Sequence, residues 1–158
     1  MKIIAVDPGY ERLGVAIIEK VSGQKETLLF SDCLQTDKKF DHPERLFQIK
    51  VGLDEIIKKY KPEFLAIEKL FFSKNQKTAM LVAEARGAIL VTAKNHGLEV
   101  AEFTPNAIKV AVTGYGKSDK KTIINFLPRI IQIDKKIKHD DEFDAIATGI
   151  TFFATYRK

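Results

Sequence analysis

At 158 residues the chain is long enough for one domain with a substantial core and too short for two ordinary ones. Its 45% apolar and 30% charged content is that of a folded globular protein, and no apolar run nears the roughly 20 residues that a bilayer span requires. A single cysteine, Cys33, excludes an internal disulfide and a cysteine-rich zinc site, while a net charge of +5, from 26 basic against 21 acidic residues, suits a polyanionic partner without requiring one.

The first strand is Ile3-Ile4-Ala5-Val6, an unbroken apolar run of the kind buried on both faces of a sheet. It ends on Asp7, and Pro8-Gly9 turns the chain away. Leu13, Val15 and Ile17 continue at a period of two as a second strand, Ser22-Gly23-Gln24 turns, and residues 27–34 form a third, giving an antiparallel meander. Cys33 in that strand reads as a small core hydrophobe. His42-Pro43 opens a helix whose Leu46, Ile49, Leu53, Ile56, Ile57 and Tyr60 recur at helical spacing until Pro62 stops it.

Phe64-Leu65-Ala66-Ile67 is a fourth strand, ended by Glu68 as the first is by Asp7. The loop Phe71-Phe72-Ser73-Lys74-Asn75 carries two aromatics that no periodic pattern explains. A helix over 76–96, closed by Gly97, has a stripe of Met80, Ala83, Gly87, Leu90 and Val91 whose small members let another backbone come close. Residues 99–103 form a fifth strand, and Thr104-Pro105 starts a short helix over 106–112. Next comes a glycine-flexed basic turn, Gly114 to Lys121, with Ser118 as cap of a helix that Pro128 kinks or splits. A basic linker, 133–138, leads to a last helix over 140–156. Strands mixed with helices in this order predict an α/β fold with a mixed sheet, as one domain over 1–158. The N-terminus has no basic-then-apolar layout of a secretion signal, so a cytoplasmic protein is expected.

If the first and fourth strands lie parallel and adjacent, Asp7 and Glu68 project from one sheet edge, where they repel unless a proton or cation sits between them. The last helix opens His139-Asp140-Asp141-Glu142-Phe143-Asp144. Acids there serve as ordinary caps. Yet Asp141 and Asp144 are one helical turn apart and can reach a common point, away from the stripe of Phe143, Ile146, Ile150 and Phe153. Four carboxylates select a hard divalent ion, Mg²⁺ or Mn²⁺, and can hold two ions roughly 3.5–4 Å apart about a phosphodiester.

Asp7-Pro8-Gly9 with Gly14, Ala66-Ile67-Glu68 with Phe71 and Lys74-Asn75, Ala85-Arg86-Gly87, Val112-Thr113-Gly114-Tyr115-Gly116 and Asp141-x-x-Asp144-Ala145-Ile146-Ala147 together resemble the RuvC family of Holliday-junction resolvases, members of the ribonuclease H-like superfamily. The resemblance implies a ribonuclease H-like fold with a five-stranded mixed sheet flanked by helices, a two-fold homodimer, and Mg²⁺-dependent cleavage of four-way DNA junctions. It implies catalytic, metal-binding carboxylates at Asp7, Glu68, Asp141 and Asp144, with Asp140 and His139 as neighbouring alternatives to Asp141 because that family position is sometimes histidine. It implies DNA contacts from Phe71 or Phe72, Lys74, Lys109, Lys117, Lys120 and Lys121, and a link to a branch-migration helicase. The chain departs from the family pattern at Phe143, where a small residue is common, and in the lysine-rich approach to the last helix.

Two other readings stand beside this one. Asp7-x-Gly9 with Gly14 also suits the phosphate loop of an actin-like ATPase or sugar kinase, but the second nucleotide-binding lobe is missing from the chain. A related nuclease with another branched or hybrid substrate, or a binding module without catalysis, shares every motif above.

Overall fold

The computed structural model describes residues 1–70 and 76–156. The aromatic loop with Phe71, Phe72 and Lys74 lies outside the described residues. Elements run β1 (Lys2–Asp7), β2 (Arg12–Glu19), β3 (Thr27–Gln35), α1 (His42–Tyr60), β4 (Phe64–Glu68), α2 (Gln76–Asn95), β5 (Glu99–Phe103), α3 (Pro105–Thr113), α4 (Lys120–Ile130) and α5 (Asp140–Thr155). They form a five-stranded sheet in the order β3-β2-β1-β4-β5. The first three strands pair antiparallel, whereas β1, β4 and β5 run parallel, so the sheet is mixed.

The period-two rule decides what lies on each face. Ile3 and Ala5 of β1, with Phe64 and Ala66 of β4, pack on α3, α4 and α5. Ile4, Val6, Leu65 and Ile67 face α1 and α2. All of Ile3 to Val6 are fully buried, which is why the run has no polar break. Register pairs Ile3 with Phe64 and Val6 with Ile67. The next step along both strands is Asp7 beside Glu68, and parity sets both on the α5 face.

Helix α5 is covered almost all round from Ala145 to Phe153, not along one stripe. Two glycines allow it to lie this close. A Cβ on Gly149 would stand 2.6 Å from Ile18 Cδ1, and one on Gly14 would stand 1.8 Å from the carbonyl oxygen of Asp141. The start of α5 is therefore pressed directly onto β2.

Two local expectations change. Asp119, not Ser118, caps α4, its Oδ1 accepting from the Thr122 amide at 2.8 Å. Ser118 is buried instead, its hydroxyl donating to Tyr115 O at 2.8 Å, because a carboxylate one residue later reaches the same orphan amides. Pro128 does not split α4, which continues through it to Ile130; so near the C-terminus a proline removes little of the ladder. Among the described residues no helix is long and apolar enough to cross a membrane.

Candidate active site

Asp7 ends β1, Glu68 ends β4, and Asp141 and Asp144 lie in the first turns of α5. Their charges act on one another. Asp7 is pushed from the ordinary 3.8 up to about 7, first by burial and then by the negative charges of Asp144, Glu68 and Asp141. Glu68 is raised by burial and by Asp144, against the opposing pull of Lys109 and Lys120. Asp144 is raised by burial, although the Lys120 ammonium opposes this. So much half-buried negative charge is unfavourable on its own, and a cation or proton is needed to neutralise it.

Lys120 is the fixed cation. Its Nζ donates to Asp144 Oδ2 at 2.7 Å and stands 3.7 Å from Asp140 Oδ2. Burial disfavours its charge, yet the Asp144 hydrogen bond and nearby acids hold its pKa above the ordinary range. Lys109 and Lys120 line a cleft of about 220 Å³ together with Glu68 and Asp144. Lys117 is exposed on the adjoining turn and Lys121 on the first turn of α4, since the helix begins at Lys120 and the basic turn is shorter than expected. Asp140 is also exposed and faces Lys120.

Asp141 sits to one side. Its Oδ2 receives Arg12 Nε at 3.3 Å and the Cys33 thiol at 3.9 Å. Cys33 is buried as expected, its thiol pushed up to about 11 by burial and then by Asp141.

Several supporting residues escape sequence reasoning. Glu142, next to Asp141, is buried, and its Oε2 accepts from Ser31 Oγ at 2.9 Å and Lys135 Nζ at 2.6 Å. This clamp ties the start of α5 to β3 and to the preceding linker, so Lys135 is a strut and not a free charge. Its only local signal is an acid in a first helical turn, which any capped helix shows. Arg12 gives no signal beyond its place after the Asp7 turn. Arg86, in the Ala85-Arg86-Gly87 segment, pairs with Glu102 and donates to the Glu68 carbonyl at 3.5 Å, bracing the ends of β4 and β5.

The family model described as crossover junction endodeoxyribonuclease RuvC matches residues 3–152. The chain belongs to the RuvC family. It is 38% identical over its whole length to the crossover junction endodeoxyribonuclease RuvC of Moorella thermoacetica, covering 95% of that protein. It is 43% identical over 94% of both chains to the RuvC of Thermosipho melanesiensis. In structure it resembles Thermus thermophilus RuvC in complex with a Holliday junction substrate, with TM-score 0.89, 27% identity, and coverage of 97% of this chain and 93% of that one. A RuvC-type, ribonuclease H-like α/β fold thus carries the carboxylates, and family membership brings DNA phosphodiester hydrolysis and divalent-metal dependence with it.

Proposed function

We propose that the protein resolves four-way DNA junctions by paired, symmetric nicks, acting in the cytoplasm as a homodimer, with Mg²⁺ or Mn²⁺ held by Asp7, Glu68, Asp141 and Asp144, two ions to a site. The observation that carries this reading is the pairing of β1 with β4, which ends in Asp7 and Glu68 side by side, next to a cleft that Glu68 and Asp144 line together with Lys109 and Lys120. The donor set fits hard divalent ions, since it is all oxygen and its charges raise one another's pKa for want of a counter-cation. Bound there, such ions would supply an activated water and stabilise the departing 3′ oxygen.

The chain's own residues do the rest. Lys120 donates to Asp144, favouring its charged form against the burial that opposes it, and holds it at the cleft. Lys109 offers positive charge to a phosphate entering between it and Glu68. Lys117 and Lys121 extend that basic surface, Lys74 is a further phosphate contact, and Phe71 or Phe72 supplies an aromatic to stack on or wedge into the junction. A two-fold dimer presents two equivalent sites to a two-fold substrate. The face of α2 that holds Met80, Ala83, Gly87 and Val91 is exposed, while Ala85, Ile89 and Ala93 serve the core, which supports that face as the dimer contact.

The test compares cleavage of a four-way junction, a linear duplex and an RNA–DNA hybrid in Mg²⁺, by wild type and Asp7→Asn. Paired nicks on the junction alone, lost in the variant while junction binding persists, are expected. Undiminished cleavage by Asp7→Asn, or preference for the hybrid, would overturn the reading.

A further inference from the structure

Beside the carboxylates, at the seam between β3 and the start of α5, a chemically different set of side chains converges. Cys33 Sγ, an imidazole nitrogen of His139 and a carboxylate oxygen of Asp141 all lie within 4.8 Å of one another. The juxtaposition is built into the fold. Cys33 pairs across the sheet with Gly14, and Gly14 is the residue whose missing side chain lets the Asp141 backbone press onto β2. His139 stands at the N-cap of α5 but makes no capping hydrogen bond, so its ring is not used by the helix. Gln35 Nε2 lies 3.3 Å from His139 Nε2, and turning that amide would present Oε1 as the acceptor that a ligating imidazole needs for its other N–H. Cys33, Gln35 and His139 also line an open groove with Lys136, Lys138 and the Glu142-paired Lys135, and through it solvent and an ion can reach the trio.

Sulfur, nitrogen and one carboxylate form a poor set for Mg²⁺ and a good one for zinc, with a fourth position left to water. Tetrahedral zinc at about 2.0–2.3 Å from each ligand sets ligand atoms roughly 3.5 Å apart, so the trio closes with modest side-chain rotation. On binding, the Cys33 thiol releases its proton to solvent as the S–Zn bond forms. Thiolate and carboxylate then balance the 2+ charge, and the neutral imidazole adds none. The half-exposed Arg12 side chain leaves Asp141 for water.

We propose that Cys33, His139 and Asp141 form a Zn²⁺ site and that its occupation inhibits the enzyme by keeping Asp141 to one side, unable to join Asp7, Glu68 and Asp144 on the catalytic ions. The inhibition rests on the function proposed above; the binding does not.

The experiment titrates Co²⁺ into metal-free protein without DNA and reads the thiolate-to-cobalt charge-transfer band. Cys33 is the single cysteine, so the band reports this residue alone. Wild type is expected to show the band, with the strong visible absorption of tetrahedral cobalt, and Zn²⁺ to bleach it. Cys33→Ser should lack the band, and His139→Gln should need at least about tenfold more cobalt to reach it. In Mg²⁺, Zn²⁺ should inhibit junction cleavage by wild type at concentrations at least about tenfold below those needed for Cys33→Ser. A wild type without the band, or a band indifferent to His139→Gln, would overturn the site, and equal zinc sensitivity of wild type and Cys33→Ser would overturn the inhibition. Failure of both proteins to cut junctions in Mg²⁺ alone would count against the proposed function, with the cobalt spectra still deciding the site.

Discussion

Helix α5 and strand β4 each join two opposite environments. At one end Phe64 opens β4 and meets Phe152 of α5 and Tyr156 at its C-cap with ring centroids 5.1 Å apart in both cases, while Phe152 and Tyr156 stack at 4.9 Å. At the other end of the same two elements Glu68 and Asp144 sit with Asp7, and all three are raised in pKa. β4 is five residues long, so roughly 13 Å separates a region where burial is favourable from one where it is costly. The aromatic end holds helix to sheet strongly enough that the acidic end can be kept half-buried and self-repelling, ready for a cation. Stability and chemistry are divided along one helix.

That division can be broken from either end. The largest expected effect on stability comes from Phe152→Ala, since the ring is almost wholly buried: about 3–5 kcal/mol should be lost in urea unfolding, with cleavage per folded molecule kept. A proportional loss of turnover would mean the two ends are not separable. Gly14→Ala acts on the acidic end, where its Cβ would collide with the Asp141 carbonyl. It should cost about 1–3 kcal/mol but lower the cleavage rate about a hundredfold, by shifting the start of α5. Full activity in that variant would show that the placement of α5 has slack.

A smaller effect sharpens the electrostatic half of the comparison. Asp7 titrates at about 7 in the fold and near 3.8 when unfolded, so between those values the native state holds a proton that the unfolded chain has lost. In a chelator, Tm should therefore fall as pH rises from about 4 to about 7 and level off above. A saturating divalent ion, or Asp7→Asn, should flatten that slope; a metal-free protein whose stability rises across this window would contradict the strain assigned to the site. The smallest effect belongs to the exposed turn and the start of α4: Lys117→Ala and Lys121→Ala should each lower the salt dependence of junction binding by about one counterion and leave stability within about 0.5 kcal/mol. An unchanged salt slope would return those lysines to bulk solvent.

The order of elements was legible along the chain because each signal is local. Unbroken β-branched runs, a helical period stopped by Pro62, and Thr104-Pro105 at a helix start depend on near neighbours alone. β5 is found where it was read, at Glu99–Phe103. That Asp7 and Glu68 end neighbouring strands was legible too, given that β1 and β4 run parallel. What misled was competition between adjacent residues. Ser118 and Asp119 both cap well, and only the packing of Ser118 under the turn decided between them. Likewise α5 shows an amphipathic stripe but is enclosed all round, because a sheet and two further helices press on it.

By itself, then, the sequence determined the alternation of strands and helices and the residue types that end them, since backbone propensity and side-chain period are properties of short stretches. Tertiary structure alone decided the supports: Glu142 held by Ser31 and Lys135, Arg12 and Cys33 beside Asp141, and Arg86 across the ends of two strands. Those partners lie up to 129 residues apart, as Arg12 and Asp141 do. A hydrogen bond between such groups depends on how closely a helix approaches a sheet, and here that approach is set by what Gly14 and Gly149 lack.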